Sequence, residues 1–191
     1  TKVECVFSLV LLVLLVPYNF RSLSTAMGQL FAGWDVSTQS TKLLVIDAEL
    51  QTIVFNEAVN YDQDLPHYKT KDGAIQGLGE GASESDPNMW IEAVNLLFQK
   101  LAASKVNQHD IVAMSVSGQQ HGLVALDRQG NLSRKRSKLW NDFSTQKECD
   151  LLTEKVGGLE TMVKEVSNSQ RTGYTAAKIF HLYRHEREIY D

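Results

Sequence analysis

Four short segments of this 191-residue chain gather side chains suited to holding a phosphate or a polyol. In the first, Asp35-Val36-Ser37-Thr38-Gln39-Ser40-Thr41-Lys42, an aspartate closes an apolar run and a turn of hydroxyls follows. Backbone N–H and side-chain O–H groups in such a turn hold phosphate oxygens, while a carboxylate holds a magnesium ion or its waters. The same residues also read as a plain polar hairpin. In the second, Ser117-Gly118-Gln119-Gln120-His121-Gly122, two amides and an imidazole stand between glycines that let the backbone approach a ligand. It follows a strand-like run, and ligand sites gather at strand ends. The third, Leu139-Trp140-Asn141-Asp142, pairs an apolar wall with polar groups that fix hydrogen bonds to a sugar. Its alternative reading is a core Trp followed by an N-cap Asp for a helix from Phe143. The fourth, Arg171-Thr172-Gly173-Tyr174-Thr175-Ala176-Ala177-Lys178, runs from a turn into a helix N-terminus, whose free N–H groups can meet a ligand. It also reads as an ordinary helix capped by Thr175.

Other features point less directly to chemistry. His181 and His185 have metal-ligand spacing on a helix but lack the Glu of H-E-x-x-H; among Arg184, Glu186 and Arg187 they read as a solvated face. Arg134, Lys135, Arg136 and Lys138 read as a charged loop patch. The chain is mildly acidic, with 19 Lys and Arg against 23 Asp and Glu, so no nucleic-acid partner is expected. The two cysteines, Cys5 and Cys149, form no C-x-x-C pair, which excludes a disulfide scaffold and a cysteine zinc site and fits a reducing compartment.

The elements that must position these segments follow from periodicity. Runs at 30–36, 41–47 and 51–59, joined by short turns, predict a three-stranded antiparallel meander. Residues 60–85, with Pro66 and glycines at 73, 77, 79 and 81, predict a long irregular loop. Asp86 as N-cap and Pro87 as first residue open a helix to about 104, with Trp90, Val94, Leu97, Phe98 and Leu101 on its apolar face. A buried strand at 111–116, a second at 123–126, and helices at 143–156, 159–165 and 175–188 complete the pattern. Strands first, then strands mixed with helices, predict an α/β domain whose mixed sheet is flanked by helices.

Residues 6–16, VFSLVLLVLLV, are apolar at ten of eleven positions. That is short of the ~20 needed to span a bilayer, so no membrane association is expected. Residues 1–26 read as an apolar leader of signal-peptide type, or as upstream sequence wrongly joined to a domain that starts at Met27.

Taken together and in this order, GWDVSTQSTK, SGQQHG, LWND and TGYTAAK resemble the motifs of the FGGY carbohydrate kinases, and most of all their xylulokinase branch. Asp64-Leu65-Pro66 followed by Lys71-Asp72-Gly73 supports the same branch. The resemblance covers about residues 29–191. It implies the ribonuclease H-like fold of actin and hexokinase-type ATPases, with residues 27–191 as most of the first of two domains. It implies ATP and Mg2+ as cofactors, a cytoplasmic enzyme, and a small ketose, D-xylulose, as the partner phosphorylated on its 5-hydroxyl. A homodimer of the longer protein is a further expectation. By the same resemblance Asp35, Ser37, Thr38 and Gln39 face phosphate, with Asp35 near the metal, and Gln120, His121, Trp140, Asp142 and Arg171 face the sugar. Ser37 and Ser40 stand where the family has glycines, and Gln170 aligns with a family arginine that Arg171 only neighbours. The general-base aspartate and the adenine pocket are expected beyond residue 191, so no residue here is expected to be catalytic and the chain alone is expected to transfer no phosphate. The remaining alternatives are a kinase of the same family for ribulose, gluconate or glycerol, and a non-catalytic sugar-binding fragment.

Overall fold

A computed structural model describes residues 29–191; the apolar run at 6–16 and the rest of the leader lie outside the described residues. In chain order the first elements are β1 (Leu30–Val36), β2 (Ser40–Asp47), β3 (Thr52–Asn60), α1 (Tyr61–Asp64), β4 (Thr70–Lys71), β5 (Ala74–Ile75), β6 (Glu84–Ser85) and α2 (Pro87–Ala103). They are followed by β7 (Ile111–Gly118), β8 (Ser137–Lys138), α3 (Gln146–Lys155), α4 (Leu159–Val166), α5 (Thr175–His185) and α6 (Arg187–Tyr190). These form two compact units, residues 29–73 with 88–119 and residues 74–87 with 120–191. No described helix is long and apolar enough to cross a membrane.

The first unit is built on a four-stranded sheet of order β3-β2-β1-β7. The three-stranded meander is antiparallel as expected, and β7 joins β1 in parallel, so the sheet is mixed. Alternate residues of β1 and β2 (Leu30, Ala32 and Trp34; Leu43 and Val45) face one core. α2 closes that core with Met89, Ala93, Leu97 and Leu101, four residues apart and all buried. The buried stripe is turned from the expected one: Trp90 and Val94 flank it, and Phe98 is partly exposed with its ring 4.9 Å from Trp34. β7 is not the buried strand expected at 111–116. It is an edge strand, and Val112, Ala113 and Ser115 are exposed.

The stretch expected to be one irregular loop begins with ordered pieces. Asn60 caps α1 by accepting from the Gln63 N–H, and Pro66–Tyr68 forms a 3-10 turn. No hydrophobic period announces such one-turn elements, because they bury single residues, here Tyr61 and Leu65.

The second unit holds β5, β6, β8 and α3 to α6. No strand forms at 123–126; Leu123 and Leu126 make only isolated bridges, to Lys138 and Leu132. The expected helix at 143–156 begins at Gln146, and the expected helix at 175–188 breaks at Glu186. The interior of this unit is unusually polar. Beside Leu139, Cys149, Met162, Ala177 and Leu182 it buries Glu84, Lys138, Asp142, Glu148 and Lys178. The basic loop is therefore divided: Lys135 and Arg136 are exposed, whereas Arg134 and Lys138 turn inward. Arg134 bonds Glu84 and Glu186 at 2.8 Å each, and Lys138 is buried between Glu84 and Asp142 at 3.4 Å each. Buried charges need such partners, since desolvating a lone one costs several kcal/mol.

Leu97 is fully buried at the centre of the first core. Leu97→Ala should lower the unfolding free energy by about 2–5 kcal/mol, read as a shift of the urea midpoint at unchanged slope.

Candidate functional site

The hydroxyl-rich turn closes the β1–β2 hairpin in the first unit. Asp35, the next-to-last residue of β1, is in register with Lys42 on β2 and Ser117 on the parallel neighbour β7. Its Oδ1 accepts from Ser37 Oγ at 2.6 Å, and the turn is closed by Ser37 N–H donating to Ser40 O at 3.0 Å. Neither Ser37 nor Ser40 has a positive φ, so serine suits both positions as well as glycine would. At the end of β7 the Gln119 N–H donates to Val36 O at 3.1 Å, extending the ladder past the strand.

Two residues that sequence reasoning missed hold this turn. Tyr61 is fully buried; its N–H donates to Gln39 O at 3.1 Å and its Oη donates to Ser37 O at 3.1 Å. With that proton committed, Thr41 Oγ1 is the donor in the 2.8 Å bond to Tyr61 Oη. Burial, eased by the Thr41 bond and reinforced by the nearby Asp35 charge, pushes the Tyr61 phenol up to about 12. Gly73, with φ +77°, lies directly against the turn, and a Cβ there would collide with the Thr38 carbonyl oxygen. Asp62 fixes the approach of Gly73: its carboxylate accepts from Thr70 Oγ1 and the Asp72 N–H at 2.6 Å each and from the Gly73 N–H at 3.2 Å.

The other three segments meet in the second unit around one side chain. Lys178, on the first turn of α5, has 0% of its surface exposed. Its Nζ donates to His121 O, Leu139 O and Gly173 O, each at 2.6 Å. One ammonium thus joins SGQQHG, LWND and TGYTAAK. Three N–H donors meet three acceptors, which satisfies the charge fully. Burial, opposed by Asp142 and reinforced by Lys138, pushes Lys178 down to about 8, so it remains an ammonium at neutral pH. The sequence signal was present, since this lysine is the last residue of TGYTAAK, but its partners lie on distant segments.

Around this hub the expected sugar-side residues divide. His121 is exposed, has φ +58°, and stacks on Tyr174 with ring centroids 4.6 Å apart. A non-glycine residue with positive φ is uncommon, and here the Lys178 bond and the Tyr174 stack hold it. Gln120 beside it is exposed. Trp140 is 47% exposed, so it is not a core Trp. Asp142 is fully buried and is not the N-cap of a helix from Phe143, since α3 starts three residues later with Thr145 at its cap position. Its Oδ2 accepts from the Ser83 N–H at 2.9 Å and from Lys138, and its Oδ1 accepts from Ser144 Oγ at 2.6 Å. In this structure Asp142 organises the loop from within. Gly173, at φ +89°, abuts Trp140 O, which a Cβ would strike. Thr175 is the first residue of α5 rather than its cap; Tyr174 holds the cap position without a side-chain bond. Arg171 is exposed, its Nε 3.4 Å from Ser169 Oγ, whereas Gln170 turns toward Met162 Sδ at 4.0 Å.

Comparison with known proteins places these motifs in context. Residues 30–191 match the profile of the FGGY family of carbohydrate kinases, N-terminal domain. Xylulose kinase 2 of Arabidopsis thaliana is 35% identical, over 88% of this chain and 34% of that protein. Xylulose kinase of Saccharomyces cerevisiae is 30% identical, over 84% of this chain and 30% of that protein. Among solved structures, xylulose kinase from Bifidobacterium adolescentis is 31% identical with a TM-score of 0.65, covering 86% of this chain and 31% of its own. A xyloylose kinase from Brucella ovis is 28% identical with a TM-score of 0.69, covering 85% and 30%. The chain therefore spans about a third of the length of the curated relatives it matches. The mixed sheet with flanking helices is the actin/hexokinase-type α/β fold of these kinases.

Tyr61→Phe removes the donor to Ser37 O and strands the Thr41 hydroxyl, and should cost about 1–3 kcal/mol in denaturant unfolding; unchanged stability would contradict the clamp. Above pH about 8 Lys178 becomes an amine with two N–H donors for three carbonyls. The backbone amide signals of Gly122, Trp140 and Tyr174, which follow those carbonyls, should then shift together with a midpoint near pH 8, whereas flat signals from pH 7 to 9 would contradict it. Global stability should rise with pH from about 8 toward the ordinary lysine value of 10.5, because there the unfolded chain binds the proton that the folded chain has lost.

Proposed function

Because this chain belongs to the FGGY family of carbohydrate kinases, we propose that it is the sugar-binding part of an ATP-dependent D-xylulose kinase. The reaction is transfer of the ATP γ-phosphoryl group to the sugar 5-hydroxyl. The observation that carries this reading is the Lys178 hub, which ties together the three segments whose donors, acceptors and aromatic surfaces suit a ketose. The relatives named xylulose kinase support the choice of sugar.

Phosphoryl transfer asks a protein mainly for positioning and charge neutralisation. In this reading His121 and Gln120 hydrogen-bond the hydroxyls of the sugar and the exposed face of Trp140 lies against its carbon skeleton. Asp142 acts through the loop it organises rather than by contact. Arg171 is an outer candidate for the same ligand. The hairpin turn has the donor set for nucleotide phosphates: Ser37 and Thr38 hydroxyls, the Gln39 amide, and the Asp35 carboxylate for Mg2+ or its waters. Magnesium would supply neutralisation of phosphate charge. The group that takes the sugar hydroxyl proton, and the adenine pocket, belong in this reading to sequence outside residues 1–191.

Calorimetric titration of D-xylulose into the full chain tests this, beside D-ribulose, D-gluconate and glycerol. We expect D-xylulose to bind more tightly than the others and His121→Ala to weaken it by about tenfold or more, equivalent to ~1.4 kcal/mol. Preference for another of these ligands, or an unaffected His121→Ala variant, would overturn the assignment. ATP-dependent phosphorylation of D-xylulose by these 191 residues alone would overturn the placement of the proton acceptor outside them.

A further inference from the structure

His185 is exposed, as the solvated-face reading expects, but His181 is partly buried. They lie one turn apart on α5 and face Glu148 of α3, whose side chain is only 2% exposed. The distance from His185 Nε2 to Glu148 Oε1 is 3.1 Å, and from His181 Nδ1 to Glu148 Oε2 it is 3.6 Å. One ligand atom from each of the three residues can be chosen so that all lie within 4.8 Å of one another. Zinc–nitrogen and zinc–oxygen bonds of about 2.0–2.2 Å place tetrahedral ligand atoms about 3.3–3.6 Å apart, so small side-chain rotations suffice to close the set.

A second observation concerns the polar atoms themselves. His181 Nδ1 is buried and makes no full hydrogen bond, standing 3.6 Å from Glu148 Oε2. An imidazole nitrogen held just beyond hydrogen-bond distance of a buried carboxylate leaves both polar atoms underused, and a bound ion between them would satisfy both. On its other side His181 Nε2 faces Glu186 Oε1 at 4.0 Å, the place of the outer carboxylate that commonly orients a metal-bound histidine.

We propose that Glu148, His181 and His185 form a binding site for a late first-row divalent cation, zinc foremost, which clamps α5 to α3. Two imidazoles and one carboxylate suit zinc, cobalt or nickel, whereas magnesium and calcium prefer oxygen ligands. The competitor is Arg184, whose guanidinium pairs with Glu148 and also lies 5.7 Å over the Phe180 ring. On metal binding it keeps the ring contact and gives up its share of the carboxylate. The clamp bears on the candidate sugar site because His181 is three residues along α5 from Lys178.

The test uses the full chain without an affinity tag, stripped with chelator and checked for native circular dichroism. Zn2+ is titrated by calorimetry and Co2+ by its visible absorption. We expect one ion per chain and a Co2+ spectrum of low coordination number. His185→Ala, at the most exposed of the three ligands, should weaken Zn2+ binding more than about tenfold with the fold intact. Glu148→Gln should weaken it similarly, Arg184→Met should preserve or tighten it, and His109→Ala should leave it unchanged. No stoichiometric ion, or Zn2+ affinity unaltered by His185→Ala, would overturn the site.

Discussion

A single buried ammonium is the constraint on which the second unit depends. Lys178 gives one N–H to each of three loop carbonyls, at His121, Leu139 and Gly173, and has no exposed surface. The segments 120–122 and 171–174 carry no buried large apolar residue, and 139–142 carries only Leu139. Their order comes from this common donor and from the acid–base network beside it, in which Glu84, Asp142 and Glu186 face Arg134 and Lys138. A polar interior of this kind is costly to break, because any lost partner leaves a charge or a carbonyl buried and unpaired. It also fixes backbone positions more sharply than aliphatic packing does, which suits loops that, in the proposed function, present His121 and Trp140 to a sugar.

The first unit uses the opposite strategy. Its hydrophobic sheet and α2 form a rigid platform, and the hydroxyl-rich turn is added at the end of β1. Tyr61 links the two by bonding the turn from a fully buried position, while Gly73 permits a backbone approach no other residue allows. The turn therefore owes its shape to residues more than twenty positions downstream as well as to its own bonds.

This contrast explains what the sequence made legible. The meander and α2 are read from periodicity because their burial repeats every two or four residues. The motif segments are read from composition, since amides and an imidazole stand between glycines in one and a Trp precedes an Asn-Asp pair in another. The hub was hidden because a lysine in a helix reads as solvated until its acceptors are known, and these lie 57, 39 and 5 residues away in sequence. Lys138 and Arg134 were misread for the same reason: the partner they share, Glu84, sits some fifty residues upstream. Asp142 could not be placed from its own segment, since bonds from Ser83, Lys138 and Ser144 occupy both its oxygens and Ser83 lies 59 residues upstream. His181 and His185 were read without Glu148, more than thirty residues before them.

The central claim is that one ammonium organises three loops as a unit. Hydrogen exchange of the Lys178→Met chain, compared with the unaltered chain, tests it most directly. The account predicts that amides at 119–123, 139–143 and 171–175 lose protection together while β1, β2 and α2 keep theirs. Loss confined to α5, with the three loops still protected, would contradict it.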